Sequence, residues 1–565
     1  MKAALRIMLP IFLLLSSFTL TFGQHTMFLT KPTTVTYLDD IINSDTTATG
    51  ARKDTLRVYV LQRGGTWFWH STITNTGWKL DIEAADTGSA GKPKIYTTEQ
   101  SGQTTAPYNW VDVQGDVTVK NCIISGYFDP DTSAFNTYGG TFILFRCATP
   151  GPRMDFEGNV FSNIGQAVAS AFAAVPTIIF KDNIFANMGL PPLVDVGNGR
   201  VVDVRNVSID SLVLINNTLA YGFDRMVRHI ASVGRLNHFI LDHNTIYENG
   251  GRYGTVALGA VGAQVQITNN LFVDPMAFGA DTASQRHWDF QECGEIDANG
   301  HVKMAWIYNS PAASDTLPGQ TATNWNISNN YYYITPQMQA VYDTCISEGW
   351  MPDISAGTAR IMTDSIKAKI DTTQAFFKLD NFSFTNVPAP MTAPVLWATK
   401  PVSLGGTGSA SSGGTYPGYG KHLTVYYADT MNCGYSTSSP AYTGANGGFP
   451  VGDLNWFPDK KAQWEGTTAV KKYDSNIPAN FSLRQNYPNP FNPSTVIRFS
   501  IAKTSRVTLT VYNILGQKVA TLVNENLGVG NHEVNFNAAS LSSGVYFYTL
   551  NAGSFIQTKK MLLLK

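Results

Sequence analysis

Six segments of the chain share one skeleton, and that repetition limits its fold more than any other feature of its 565 residues. They are MDFEGNVFSN from Met154, IIFKDNIFAN from Ile178, LVLINNTLAY from Leu212, FILDHNTIYE from Phe239, VQITNNLFVD from Val265 and WNISNNYYYI from Trp325. Take the asparagine as origin: Asn159, Asn183, Asn217, Asn244, Asn270 and Asn330. Five residues before it stands Met, Ile, Leu, Phe, Val or Trp, and three before it Phe156, Phe180, Leu214, Leu241, Ile267 or Ile327. Two after it stands Phe161, Phe185, Leu219, Ile246, Phe272 or Tyr332. A step of two between large apolar residues is the period of a strand with one buried face. Each copy therefore reads as strand, bend, strand, with the asparagine at the bend. An earlier copy has Val117, Val119 and Ile124 in the apolar slots and Cys122 at the origin.

Successive origins lie 37, 24, 34, 27, 26 and 60 residues apart. The three shortest intervals fit one coil of a right-handed parallel β-helix, in which each short strand stacks on its counterpart, and the longer intervals are coils with inserted loops. A bend that turns inward must satisfy its polar groups. Stacked asparagine amides do so by bonding to the asparagines above and below, so these six are expected to form a structural ladder. Strands upstream are expected at 56–60, 67–73, 78–82 and 94–96, which starts the solenoid near residue 35 with Val35 to Ile42 as its cap. Composition agrees. Charged residues are 14% of the chain against roughly 25% in an ordinary soluble domain, while 43% is hydrophobic. Disorder is excluded, and few Lys or Glu remain for long amphipathic helices. With 40 basic and 41 acidic residues the formal charge is -1, so no whole-chain attraction to nucleic acid or to an anionic membrane is implied.

The repeat resembles that of the pectin-lyase-like β-helix proteins, a broad group that includes pectate, alginate and chondroitin lyases and many surface proteins. The resemblance covers about residues 35–385 and implies a fold rather than an activity. Val451-Gly-Asp-Leu-Asn-Trp456 is similar to a short closing motif that follows such helices in secreted bacterial proteins, which would extend the module to about Trp464. Gly405 to Gly414 reads as a flexible loop, and Thr358 to Lys378 as the place of one short helix. The five cysteines show no CxxC spacing and no paired histidines, so neither a zinc site nor a disulfide framework is readable. A Cys293–Cys345 bridge is one possibility among others.

Residues 481–495 pack three prolines into an extended leading segment. Alternating strands follow at 496–501 and 507–512, with turns at Gly516 and Gly528 and a late strand from Gly544, which suggests a small β-sandwich. This region closely resembles the type A C-terminal sorting domain of the type IX secretion system. The matching stretches are Gln485 to Pro493, with Pro488 and Pro490; Val511 to Val519, with Gly516; Leu541 to Tyr546, with Gly544; and the terminal Lys559-Lys560-Met-Leu-Leu-Leu-Lys565. The resemblance implies handling by that machinery, passage across an outer membrane, and release or surface attachment. At the other end Lys2 and Arg6 precede an apolar run from Ile7 to Leu20, the pattern of a cleaved secretory signal and too short for a spanning helix. No transmembrane segment is expected in the mature chain. The expected organisation is all-β: signal 1–23, β-helix module 24–464, linker 465–480 and sorting domain 481–565.

A β-helix interior is packed, so a substrate must bind outside, beside the bends. Lys181, Asp182, Asp242 and His243 fall next to the same bend, with one coil between the two pairs. The lyases of the resembling group remove a proton alpha to a uronate carboxylate, which needs a basic side chain and a cation that neutralises the acid. The basic candidates are Lys181, Arg225, Arg228, His229 and His243, with Asp242 as the acid and Arg252 nearby. Trp288, within Arg286 to Glu292, and Trp306 are candidates for stacking on sugar rings. No other cofactor is implied. Calcium would need a dense group of outward carboxylates, and none is readable. The expected function is a secreted or cell-surface protein acting on polysaccharide, as a lyase, or as a non-catalytic glycan-binding, adhesive or structural protein.

Overall fold

The computed structural model describes residues 25–99, 106–126, 141–189, 199–249 apart from 223 and 231–233, 254–275, 280–281, 301–302, 305–309, 322–349, 361–388, 431–467 and, with short interruptions, 471–564. The expected signal sequence, the Gly405 to Gly414 loop, Trp288, Arg252, Cys293, Pro488 and Lys565 lie outside the described residues.

Three all-parallel sheets form a parallel β-helix. The first has ten strands, from Thr26–Leu29 to Asn324–Ser328; the second has ten, from Thr66–Trp69 to Phe376–Lys378; the third has eight, from Ile73–Thr74 to Ile307–Asn309. The apolar slots of the repeat become vertical rows. In the first sheet Phe156, Phe180, Leu214, Leu241, Ile267 and Ile327 are partners in register, and in the second Phe161, Phe185, Leu219, Ile246, Phe272 and Tyr332 are. Registry stacks like on like: the Phe156 and Phe180 rings are 4.7 Å apart, and Phe161 and Phe185 are 5.4 Å apart. Each ring covers the one below and keeps both from water.

The asparagines satisfy one another completely. The Oδ1 of Asn217 accepts both the backbone N–H of Asn183, at 3.0 Å, and its side-chain amide, at 3.0 Å. Asn217 in turn donates both to Asn244 and donates further to the Phe180 carbonyl. The same arrangement runs from Asn159 through Asn183, Asn244 and Asn270 to Asn330, all fully buried. It starts at Cys122, whose N–H donates to Asn159, and stops at Ala375, whose carbonyl accepts from Asn330.

The turn itself is made one residue earlier. Asn121, Gly158, Asp182, Asn216, His243, Asn269 and Asn329 have φ between 52° and 68°. This left-handed conformation is open to glycine and, among other residues, best tolerated by Asn, Asp and His, the types present there. A second left-handed corner, four residues after the asparagine, carries Asn163, Asn187, Tyr221, Glu248 and Asp274.

The solenoid starts earlier than the sequence suggests, because Thr26–Leu29 pairs in parallel with Val58–Leu61. The cap is the helix Leu38–Ser44, with Leu38 and Ile42 in the core. The third sheet is not evident from the repeat. A helix at Pro336–Ser347, started by Pro336 and by the Thr335 hydroxyl accepting from the Met338 N–H, buries Met338, Val341, Tyr342 and Cys345 in a side core beside the second sheet. Between 358 and 378 the helix is short, Asp364–Lys367. Within the expected linker, the first residues end the helix Pro458–Thr467, and Lys471–Asp474 is a strand paired with Gly530–Asn537.

The C-terminal module is a sandwich of two antiparallel four-stranded sheets around one core that includes Ile497, Phe499, Val507, Leu509, Val511, Tyr548, Leu550, Met561 and Leu563.

Replacing Asn217 by Ala removes an acceptor for two buried donors of Asn183 and should cost about 3 kcal/mol in chemical denaturation. Ser328→Ala, outside the ladder, should change stability by less than about 0.5 kcal/mol.

Candidate functional site

The bend between the first and second sheets brings together part of the expected set. Lys181 Nζ is 2.9 Å from Glu157 and 3.4 Å from Asp182. Burial favours its neutral form, but Asp182 and Glu157 outweigh burial and raise its pKa above the ordinary lysine value. Lys181 is thus held protonated, the wrong state for a base. Asp242 accepts from Thr268 Oγ1 at 2.7 Å and from Asn269 Nδ2 at 2.8 Å. Burial works against its charge, yet His243 and these donors lower its pKa. His243 is only 1% exposed, and its Nδ1 lies 3.2 Å from Asp242. Its place in the left-handed turn row accounts for its position without any substrate.

Arg225, Arg228 and His229 do not join that bend. They lie on or beside the third-sheet strand Val227–Ile230, because Val227, Arg228 and His229 pair with Val202, Asp203 and Val204. All three are buried. Arg228 lies 3.5 Å from Asp203, which also takes Arg200 at 3.1 Å and Arg205 at 2.9 Å. Arg225 Nε donates to Asp224 at 3.1 Å and its guanidinium to Tyr308 Oη at 2.8 Å, while Arg200 also contacts Asp224. Burial would raise the Asp224 carboxyl, but Arg200 and Arg225 hold it at about 2. Among the described residues this is a buried ionic network in which opposite charges pair with one another. His229 shares a row with Val204 and accepts the Gly259 N–H at its Nδ1. Burial lowers its pKa to about 4 and keeps it neutral inside the solenoid. Trp306, 1% exposed and stacked near Phe272, is a core residue and offers no face to a sugar.

Two groups escaped sequence reasoning. Lys92 donates to the Gly158 carbonyl at 2.5 Å beside the same bend, and burial lowers its pKa. Its partner is 66 residues away, so no local signal marks it. Asp39, Asp40 and His70 have ligand-type atoms within 4.8 Å of one another at the N-terminal cap. Asp39 is already committed there, accepting from the Ser71 N–H and hydroxyl.

The closing motif folds back onto this bend. Gly452 has φ 88°, its N–H donates to the Asn269 carbonyl, and a Cβ there would lie 2.5 Å from Thr245 Oγ1. Buried Asp453 accepts from the Thr218 hydroxyl at 2.8 Å and from the Asn455 N–H. Trp456 Nε1 donates to the same hydroxyl, Asn455 to the Asn216 carbonyl, and Lys461 lies 2.8 Å from Asp182. Residues 452–461 thus clasp four coils from outside. Burial pushes the Asp453 carboxyl up to about 7.

In the C-terminal sandwich the two ends of the module meet. Gln485 donates to the Lys560 carbonyl, the Leu562 N–H to Asn489, and the Phe491 N–H to the Leu562 carbonyl. The proline-rich segment covers the outer edge of the last strand, which would otherwise be free to pair with another chain. Pro490 belongs to this cover, while Gly516 has φ 72° in a hairpin turn.

Residues 485–564 match the family model described as a secretion system C-terminal sorting domain, the type IX sorting domain. No curated protein and no solved structure matches the chain.

Two expectations follow. His243→Asn should leave stability within about 0.5 kcal/mol of the parent, whereas His243→Val, unsuited to a left-handed turn, should lose about 1–2 kcal/mol in denaturant titration. The folded chain keeps on Asp453 a proton that the unfolded chain, with an ordinary value of 3.8, has released. Its contribution to stability therefore falls as pH rises from about 4 to about 7. Asp453→Asn should flatten the decline of the thermal midpoint between pH 5 and pH 8, measured by calorimetry.

Proposed function

We propose that this chain is a secreted or surface-displayed β-helix that binds polysaccharide without cleaving it. The sorting domain gives the destination: passage across the outer membrane to the surface or medium. The observation that carries the binding reading is the outer face of the first sheet over its last two strands. Gln264 and Gln266 there lie in register with Asn324 and Asn326, two neighbouring ranks of uncharged amides. Such groups donate to and accept from sugar hydroxyls without the desolvation cost of charge. Weak charge at the face also agrees with the closed ion pairs of Lys181, Arg225 and Arg228, which leave these side chains unsuited to gripping a polyanion.

One observation favours a second reading, a polyuronide lyase. Lys92 is a half-buried amine next to the bend whose pKa burial lowers, a shift toward the neutral form that a proton-abstracting base needs.

The test is to incubate the purified full chain with a panel of neutral polysaccharides and polyuronides. Retention of at least one polysaccharide with no rise in the absorbance of unsaturated uronate supports the binder. In that case Gln264→Ala with Asn324→Ala should weaken retention by about tenfold. A rise in absorbance that Lys92→Ala abolishes would replace the binder by the lyase, and no retention and no product would reject both.

A further inference from the structure

We propose that the sorting domain is recognised through one end of the outer face of its second sheet, by a protein surface with an apolar centre and a carboxylate rim. The inference rests on the sorting-domain assignment and adds the place and chemistry of the contact.

That sheet runs Lys518–Leu527, Ser505–Asn513, Gly544–Ala552, Phe555–Leu563. Directly paired residues share a face. Lys518, Tyr512, Phe547 and Lys560 form one outward row, and Val545 and Leu562 begin the next. The opposite face, with Val511, Tyr548 and Met561, is buried in the sandwich core. The outward rows draw together three stretches of sequence more than 30 residues apart at their extremes: the hairpin around Tyr512, the strand from Gly544 and the terminal strand. Tyr512, Val545, Phe547 and Leu562 are only half-buried.

The hairpin that ends at this same edge supplies the sharpest sign of a partner. Asn513 Oδ1 accepts the N–H groups of Leu515 and Gln517, its amide donates to Gln517, and the Gly516 N–H donates to its carbonyl. The turn thus satisfies its own polar groups and holds Ile514 and Leu515 outward, 71% and 76% exposed. Turn tips ordinarily carry Gly, Asn, Asp, Ser or Pro, and two adjacent large aliphatics at that exposure do nothing for this fold. Around them lie the exposed ammonium groups of Lys518 and Lys560. The paired outward rows beyond carry Thr558, Thr549, Thr510 and Thr521, then Ile556, Asn551, Thr508 and Asn524, with no carboxylate among them. An apolar knob between cations fits a pocket bordered by Asp or Glu, where burial of the aliphatics provides affinity and the charges provide orientation.

The test uses the full chain expressed in a bacterium that carries type IX machinery, with the extracellular and periplasmic pools compared. Ile514→Ser with Leu515→Ser should lower the extracellular pool by about tenfold, with folded, protease-resistant chain retained inside. Lys560→Glu should act in the same direction, and Ile514→Val with Leu515→Met should restore export. Ile556→Ser removes an equally exposed aliphatic from the far end of the same strand and should leave export within about twofold. Export of the double serine variant at the parent level would overturn the proposal, as would an equal loss in Ile556→Ser. Undiminished export after deletion of residues 481–565 would instead overturn the sorting assignment itself.

Discussion

Everything in the first module depends on the bond between one asparagine and the next. A β-helix must bend its chain twice or more per coil while keeping side chains inside, and a bend exposes backbone donors where no strand neighbour can meet them. The amide of Asn217 meets this need for Asn183, as Asn244 does for Asn217, and each coil is thereby fixed in height and phase against the next. Fixed phase puts Phe156 under Phe180 and Phe161 under Phe185, and it demands a left-handed residue one step before each asparagine. Packing, turn chemistry and hydrogen bonding therefore agree at every coil, which is the condition for a single native register.

How much of this was legible follows from where the repetition lies. The first two sheets and the ladder could be read because their apolar residues recur at constant offsets from one asparagine. The third sheet could not, because loops of different length separate it from that origin; Arg228 and His229 were thus basic candidates with no place in the coil, and they belong to a strand beside Asp203 and Val204. The second left-handed corner was hidden by its mixed residues, from Asn163 to Tyr221 and Glu248. Trp306 looked like a sugar platform because aromatic character says nothing about whether a ring faces solvent or core, and just before the strand Ile307–Asn309 it is buried in the core. His243 drew notice as a chemical group, whereas its backbone conformation explains it. Lys92 depends on a contact across tens of residues, for which no local pattern exists; Val451 to Trp456 was legible as a closing motif, but not its contacts with bends hundreds of residues away.

The two modules divide the work. The sandwich carries the address: its proline-rich segment guards the last strand, and its hairpin projects two aliphatic side chains that the fold does not use. The solenoid carries a long surface whose cations are largely paired, Lys120 with Glu83 and Lys181 with Glu157 along one row and the arginines of the third sheet with Asp203 and Asp224. A chain of near-zero charge that concentrated its cations on one face would suit a polyanion. This one disperses and neutralises them, which is why uncharged amide ranks carry the binding proposal.

The asparagine ladder joins the coils into one cooperative unit. Hydrogen exchange of the backbone amides of Asn183, Asn217, Asn244 and Asn270 measures this most directly. All four should exchange at one common slow rate, set by global unfolding. Rates that differ from coil to coil, or that match those of exposed loop amides, would contradict it.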